Sequence, residues 1–359
     1  MMDNYDDDFM DYDDDDLDEL SELDLEDDYH LEIPLEELDA DDDYSQLGDK
    51  PTLAEIETLL RLGDKLKPIQ YPSLIAGLSD VSIDEAKTLR PAWKALDTFK
   101  RQEIMQRLVD AIEHNHLLNY RSWARMTIQD DDAQVRASGV ELLWDDESID
   151  TLHTLMNLIR NEKSIEVRVV AFEVLGRFIL LGEYEKFDSN DIQIAQRLAY
   201  DTWNNPKESL EIRRRALEAF SNCTDDRLPA MIGEAYKSQF PEMQASAVFG
   251  MGRSYDNQWN NQVLKEIDNE NPQIRYEAVR AAGELEIKKA TQALGKLARD
   301  ESDREIMLMA IWSLGEIGGD FPTKILQRLA DKVEESEDDD LIEAIDEAIA
   351  SASLADINI

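Results

Sequence analysis

The feature that most constrains the fold of this chain is a helical motif that returns six times at a nearly constant interval. Each copy starts with an apolar anchor residue, usually followed by Arg, with a small residue four positions later and usually Gly nine positions later. Such a period is typical of stacked helical hairpins, in which each unit packs against its neighbours. The anchors, spaced by 32, 45, 31, 31 and 32 residues, are Val135, Val167, Ile212, Met243, Ile274 and Ile306.

Counting positions from the anchor explains the residue types. Positions 0, +4, +7 and +8 share one face of a helix with 3.6 residues per turn, so they are predicted to form the core. The residue at +4 is always small, which predicts that a neighbouring helix approaches closely; these residues are Gly139, Ala171, Ala216, Ala247, Ala278 and Ala310. The four glycines at +9 fit either a helix end or a close backbone approach. They are Gly176, Gly252, Gly283 and Gly315.

Each interval between motif copies also contains an apolar segment with helical periodicity, which predicts a second helix. These segments are 149–159, 192–203, 228–236, 259–267, 290–297 and 325–333, with more divergent helices expected at 53–62, 69–78, 83–96 and 99–112. The predicted organisation is therefore an acidic tail at 1–50, divergent repeats at 51–130, regular repeats at 131–335 and an acidic capping helix at 336–359. The long interval contains about fourteen extra residues around 182–191, which are either a partner-binding loop or a passive insertion.

The run from Asn271 to Arg275, followed by Ala278 and Gly283, resembles HEAT repeats, and residues 164–176 and 131–143 are related to it. The resemblance is to the short bacterial, phycobilisome-lyase-like type within the ARM-like superfamily. It implies an all-α fold, a right-handed α-solenoid of HEAT-like hairpins. Because this family includes scaffolds, adaptors and a few enzymes, it favours a non-enzymatic protein-interaction scaffold, with a bilin lyase or isomerase as the alternative.

The resemblance also suggests roles for two motif positions. The basic residue at +1 of HEAT repeats pairs with an acid or amide on the turn before it and on the next repeat. This implies a structural ladder here, formed by Arg136, Arg168, Arg213 and Arg275. The ladder should weaken where Gln244 and Met307 replace Arg.

The motif helix lines the concave groove in this family, so positions +2 and +6 are expected to face the groove. Position +6 changes from Glu141, Glu173 and Glu218 to Phe249, Arg280 and Trp312, while +2 reads Ala137, Val169, Arg214, Ala245, Tyr276 and Leu308. Aromatic residues and Arg dominate binding energy at protein interfaces. The candidate protein-binding residues are therefore Phe249, Tyr276, Arg280, Leu308 and Trp312. The alternative is that these side chains only cover the adjacent helix.

The charge of the chain limits the classes of partner that it can bind. The chain has 81 Asp or Glu against 37 Lys or Arg, and residues 1–50 contribute 24 acids and the single basic residue Lys50. The remaining body has a formal charge of about −21, which argues against direct nucleic-acid binding because such binding depends on clustered Lys and Arg. A protein or peptide partner, possibly basic, is expected, and a small-molecule ligand is not.

The tail at 1–50 is predicted to be disordered because its like charges and few buried-type residues cannot offset the entropy of folding. It also alternates acidic with hydrophobic residues. Three roles remain open: a solubilising tail, an arm that binds a basic partner, or a lid over basic spots of the body itself.

Residues for catalysis, cofactors or metals are scarce. The histidines are His30, His114, His116 and His153, and none is followed by Glu, which argues against a di-iron hydroxylase of the deoxyhypusine type. The lone Cys223 is interpreted as a packing residue. We expect no catalytic residue, cofactor or metal. The acidic N-terminus and the absence of a long apolar run also predict no secretory signal and no membrane span, and hence a cytoplasmic protein.

Overall fold

The structure is a computed structural model that describes residues 50–187, 189–333 and 338–355. All regular structure in these ranges is helical, with eighteen α-helices and a few short 3-10 turns. The predicted all-α class is therefore confirmed. The acidic tail, apart from Lys50, lies outside the described residues.

The helices are numbered in chain order. They are α1 Leu53–Leu62, α2 Tyr71–Leu78, α3 Ile83–Lys94, α4 Thr98–His114, α5 Arg121–Thr127, α6 Ala133–Glu141, α7 Ile149–Asn161, α8 Ile165–Glu183, α9 Ser189–Trp203, α10 Leu210–Phe220, α11 Leu228–Tyr236, α12 Pro241–Arg253, α13 Asn260–Glu266, α14 Pro272–Glu284, α15 Thr291–Asp300, α16 Arg304–Ile317, α17 Asp320–Val333 and α18 Asp339–Ala355.

The chain divides into two compact units, whose described parts are residues 50–239 and 240–355. In the first unit, α4, α6, α8 and α10 pack one on the next, and in the second α12, α14, α16 and α18 do the same. We call these helices the motif layer of each unit, since all of them except α4 carry the repeated motif. The helices between them form a second layer. Each unit is thus a stack of helical hairpins, the α-solenoid arrangement that the repeat predicts.

A capping residue three positions before the anchor starts most motif helices. Its side-chain oxygen accepts a hydrogen bond from the anchor's backbone N–H, as in Asp132 with Val135 at 3.0 Å. Such a cap satisfies an N–H group that the helix itself leaves without a partner. The same contact begins α8, α10, α14 and α16, where the caps are Ser164, Ser209, Asn271 and Asp303. The motif and the helix start are therefore in the same register in each of these copies.

The glycines at +9 mark places where consecutive motif helices touch. A Cβ atom added to Gly283 would lie 2.9 Å from Cα of Ser313, which is position +7 of the next copy. The equivalent contacts join Gly176 to Ala219, Gly252 to Ala281 and Gly315 to Ala348. These glycines lie within their helices and none has a positive φ. Of the two interpretations left open by the sequence, close backbone approach is therefore the one that the structure supports.

The C-terminal helix α18 is a seventh, divergent copy of the motif. Its residue Ala348 meets Gly315 in the way that position +7 meets position +9 elsewhere. This register places the anchor at Leu341 and puts the buried Ile345 at +4, where every other copy has a small residue. The acidic residues Glu343 and Glu347 are exposed on its surface, as a polar end helix requires.

Helix α5, which the sequence analysis did not predict, completes the hairpin of the first motif copy. It places Trp123 in full burial, in edge-on contact with the Trp93 ring at 5.1 Å between centroids. It also packs against α6, where a Cβ added to Gly139 would lie 2.8 Å from Oγ1 of Thr127. The small residue at +4 in this copy thus accommodates α5.

Most of the extra residues in the 45-residue interval from Val167 to Ile212 lengthen two helices, and few of them form a loop. Helix α8 has 19 residues and α9 has 15. The two helices meet near their ends, where a Cβ added to Gly182 would collide with the side chain of Ile192. The turn that joins them also packs inward, with the Phe187 ring 5.2 Å from that of Phe178. The insertion therefore lengthens one hairpin of the stack.

Candidate protein-binding surface

The five candidate binding residues lie on three consecutive motif helices of the unit 240–355. Phe249 is on α12, Tyr276 and Arg280 are on α14, and Leu308 and Trp312 are on α16. Trp312 is the most open of them, with 38% of its surface exposed, and the other four are half-buried. Together they form the surface that we call the aromatic face.

Arg280 and Phe249 are in direct contact. The guanidinium carbon of Arg280 lies 4.2 Å from the centroid of the Phe249 ring, a cation–π geometry. The same guanidinium forms ion pairs with Glu277 at 2.9 Å and Glu284 at 3.2 Å. Arg280 therefore joins α12 to α14 and has its charge balanced within the unit.

Glu284 is the most buried acid of this surface, with only 6% of its side chain exposed. Burial raises the pKa of its carboxyl group, while Arg280 and Arg253 oppose that rise. Arg253 reaches one carboxylate oxygen at 3.1 Å, and the other oxygen has no hydrogen-bond partner among the described residues. The pair links the ends of two neighbouring motif helices.

The sequence analysis missed this pair, although a signal was present at motif position +10. Arg253 and Glu284 both occupy it, in consecutive copies. The first two copies repeat the arrangement with Asp145 and Arg177, which lie 3.7 Å apart. Opposite charges at +10 of adjacent copies thus identify neighbours across the stack.

Tyr276, Leu308 and Trp312 form the open part of the aromatic face. Burial and then the nearby carboxylate of Glu277 raise the pKa of the Tyr276 hydroxyl. The Trp312 side chain makes no ring contact or hydrogen bond within the part of the chain that the structure describes. One turn beyond it, Glu316 is exposed. Trp312 is the most accessible of the candidate binding residues.

The corresponding surface of the unit 50–239 is charged. Arg215 lies 2.9 Å from Glu173, 2.9 Å from Glu218 and 3.2 Å from Glu211. Arg214 adds a contact of 2.8 Å to Glu211. Arg214 and Arg215 thus neutralise the acids next to them on this otherwise acidic surface.

Glu141 is different from the other two motif glutamates because it has no cationic partner. Its side chain makes no ion pair or hydrogen bond with any described residue. Burial raises the pKa of its carboxyl group, and the nearby acids Glu173, Glu113 and Asp110 raise it further. This copy therefore holds a half-buried negative charge that nothing nearby compensates.

The arginines at +1 contact the turns before and after their own helix. Arg136 forms two bonds of 3.0 Å to Glu162, and Arg168 forms two of 2.8 Å to Glu208. Arg275 lies 3.2 Å from Glu301. Each acid belongs to the turn that precedes the next motif helix.

The same arginines also donate to backbone carbonyl oxygens in the turn before their helix or near the end of the preceding helix. Arg213 donates to the carbonyl oxygen of Trp203 at 2.9 Å and lies over its ring at 5.1 Å. Where Met307 replaces Arg in the last regular copy, Arg304 instead forms a two-bond pair with Asp338 at 2.6 and 2.7 Å. These contacts fit a structural role for the position.

The residues considered for chemistry are Cys223 and the four histidines. Burial raises the pKa of the Cys223 thiol to about 12, so the thiolate is scarce at neutral pH. His153 contacts Asp191 at 3.2 Å, and His30 lies outside the described residues. Within the described ranges, no group of three or more His, Cys, Asp or Glu side chains is placed to hold a metal ion. None of the helices described is both long and apolar enough to cross a bilayer.

Residues 260–350 match the sequence family described as HEAT repeats. This part of the chain is therefore similar to HEAT repeats in sequence. The match covers the two hairpins that carry most of the aromatic face and extends into α18, the seventh copy. It does not distinguish the short bacterial subtype, which stays a prediction.

Several solved structures are similar in fold. Escherichia coli YibA shares 18% identity, with 80% of this chain and 97% of that chain covered and a TM-score of 0.40. Human deoxyhypusine hydroxylase shares 14% identity, with 84% and 96% covered and a TM-score of 0.34. Yeast importin-beta (Kap95p) shares 16% identity, with 84% and 46% covered and a TM-score of 0.38. A comparison with curated proteins found no match.

Proposed function

We propose that this protein is a non-enzymatic scaffold or adaptor, which binds a protein or peptide partner on the aromatic face of residues 240–355. The observation that carries the proposal is the open indole of Trp312, at a motif position that core packing does not use. A large rigid aromatic side chain supplies contact area at little entropic cost, and such residues dominate the energetics of protein interfaces. We place this activity in the cytoplasm.

The charges around the face favour a basic partner. Glu305 and Glu316 are exposed on α16 beside Leu308 and Trp312. Glu277 lies at the edge of the same surface, next to Tyr276. A ring of carboxylates around an apolar centre speeds the approach of a positively charged segment and disfavours an acidic one. Arg280 and Arg253 do not cancel this bias, because the four acids of the surface outnumber these two cations.

The enzymatic alternative has less support. A bilin lyase or isomerase activity rests on the repeat type alone, and no cluster of described residues points to a tetrapyrrole. The distinction is open to a direct measurement. Stoichiometric iron or a visible chromophore in protein purified from its native cell would favour the enzyme.

The scaffold proposal is tested by pulldown from the native cell with the full chain, followed by affinity measurement for each recovered partner. Replacing Trp312 with Ala should weaken binding by about 2 kcal/mol or more, which is over tenfold. The control is Trp144→Ala, because Trp144 is similarly exposed, at 44%, but lies in the unit 50–239. Circular dichroism should show unchanged helix content for both variants. Equal losses from the two substitutions would contradict the proposal.

A further inference from the structure

One face of this acidic protein is basic. The second-layer helices α15 and α17, with the 3-10 turn that precedes α15, contain seven Lys or Arg and three Asp in residues 288–300 and 320–333. Among the other second-layer helices only α5 has an excess of Lys and Arg over acids, and both of its arginines pair with Asp146. Six of the cations are exposed, and we call them the basic face: Lys288, Lys289, Lys296, Lys324, Arg328 and Lys332.

The cations of the two helices belong to one surface. Helix α15 packs against α17, where a Cβ added to Gly295 would lie 3.1 Å from Ile325. Lys296 and Lys324 are the next residues to that contact. Lys324, Arg328 and Lys332 are spaced by four along α17, so they lie on one side of it. A hydrogen bond from Arg299 lowers the pKa of Asp300, and Lys296 and Lys332, from the two helices, add to the lowering.

We propose that the acidic N-terminal tail of the same chain, residues 1–49, docks on the basic face. The tail contains 24 Asp or Glu and no Lys or Arg, so its charge complements the face along its whole length. It is covalently attached, and such attachment raises the effective concentration of a ligand to the order of millimolar. Weak individual attractions therefore suffice to hold it.

The negative charge of the rest of the body does not prevent this docking. At physiological ionic strength, exposed charges farther apart than about 8 Å are largely screened from one another. The tail therefore responds to the cations next to it more than to the net charge of the molecule. The same screening makes the contact dependent on salt. The basic face is in the second layer, so the docking is independent of partner binding at the aromatic face.

The test is zero-length cross-linking of the full-length protein with a carbodiimide, which joins a carboxylate to an amine only when they touch. At about 0.15 M salt we expect tail carboxylates to couple mainly to the lysines of the basic face, and the links to disappear at about 1 M. The comparison group is four of the exposed lysines of the other unit, Lys65, Lys67, Lys163 and Lys207. An even distribution between the two groups would overturn the proposal.

Charge reversal sharpens the test without removing the reporting amines. The double variant Arg328→Glu, Lys332→Glu should reduce links to Lys288, Lys289 and Lys296 by roughly three- to tenfold. The matched control Lys163→Glu, Lys207→Glu should leave them unchanged. Mixing isotope-labelled and unlabelled protein identifies links between two molecules, and links found only between molecules would mean that a second copy is the occupant and overturn intramolecular docking. Trp312→Ala should not alter the links, so the two proposals fail separately.

Discussion

The motif layers of the two units share a backbone plan and differ in what they present at position +6. In residues 50–239 the position holds three glutamates, two of which are neutralised by Arg214 and Arg215. In residues 240–355 it holds Phe249, Arg280 and Trp312, of which the first two stack on each other. Packing thus keeps position 0 apolar and position +4 small in the six copies, whereas position +6 is free to vary. Differences in binding between the units should therefore come from this position.

The largest expected effect concerns the ladder, which is better developed in the unit 50–239. Arg168→Ala removes two short bonds to Glu208 and one to the carbonyl of Ile159. It also leaves the partly buried carboxylate of Glu208 without its partner. The free energy of unfolding, measured by urea titration, should therefore fall by about 2–4 kcal/mol. Arg168→Lys should recover only part of it, since one ammonium group cannot make both carboxylate bonds. A loss below about 1 kcal/mol would mean that the ladder is not structural.

A smaller loss of stability is expected where a +9 glycine lets two motif helices touch. In Gly283→Ala the new Cβ would meet the Ser313 backbone, and the two helices must separate, so we expect a loss of about 1–3 kcal/mol in thermal unfolding. Gly233→Ala is the matched control, because Gly233 is also helical but has nothing within 4 Å of the added atom. That change should stabilise the protein by up to about 1 kcal/mol. The same sign for both variants would refute close packing at Gly283.

The smallest expected effect is a difference in pH-dependent stability between substitutions of Glu141 and Glu218, both in the unit 50–239. The pKa of Glu141 is raised, so its protonated form stabilises the fold below pH 4.5, and this contribution is lost as the pH rises through the folded-state pKa. Glu141→Gln should therefore be more stable than the wild type at pH 7 by less than about 1 kcal/mol, and equal to it in acid. Glu218→Gln should instead destabilise at pH 7, because it breaks pairs with Arg214 and Arg215. Urea titrations at both pH values test this contrast.

Local patterns were sufficient to predict most of the fold. The anchors, the small residues at +4 and the apolar segments between copies gave the helices in register because each of these signals lies within one helix or turn. Helix α5 was missed because seven residues with three charged or polar surface positions show little periodicity. The seventh copy was missed because Ile345 replaces the small residue at +4, and only the contact between Gly315 and Ala348 shows the register.

The binding surface was harder to predict, since it depends on contacts between copies. The sequence identified Phe249 and Arg280 as candidates but not their stacking, which joins residues of different helices. It also missed Arg253 and Glu284, because a charge at +10 has meaning only when the neighbour across the stack is known. The binding role of all five candidates stays a prediction until partner affinity is measured.

The close contacts between motif helices at the +9 glycines affect the order in which parts of this protein unfold. Each one couples a motif helix only to the next, so stability is close to a sum of nearest-neighbour terms. Helix α18 has a single such neighbour in its layer, through Gly315 and Ala348. Its amide hydrogens should consequently exchange with solvent before those of α14, which is held from both sides. The seventh copy can thus peel away and return while the hairpins beneath it stay folded.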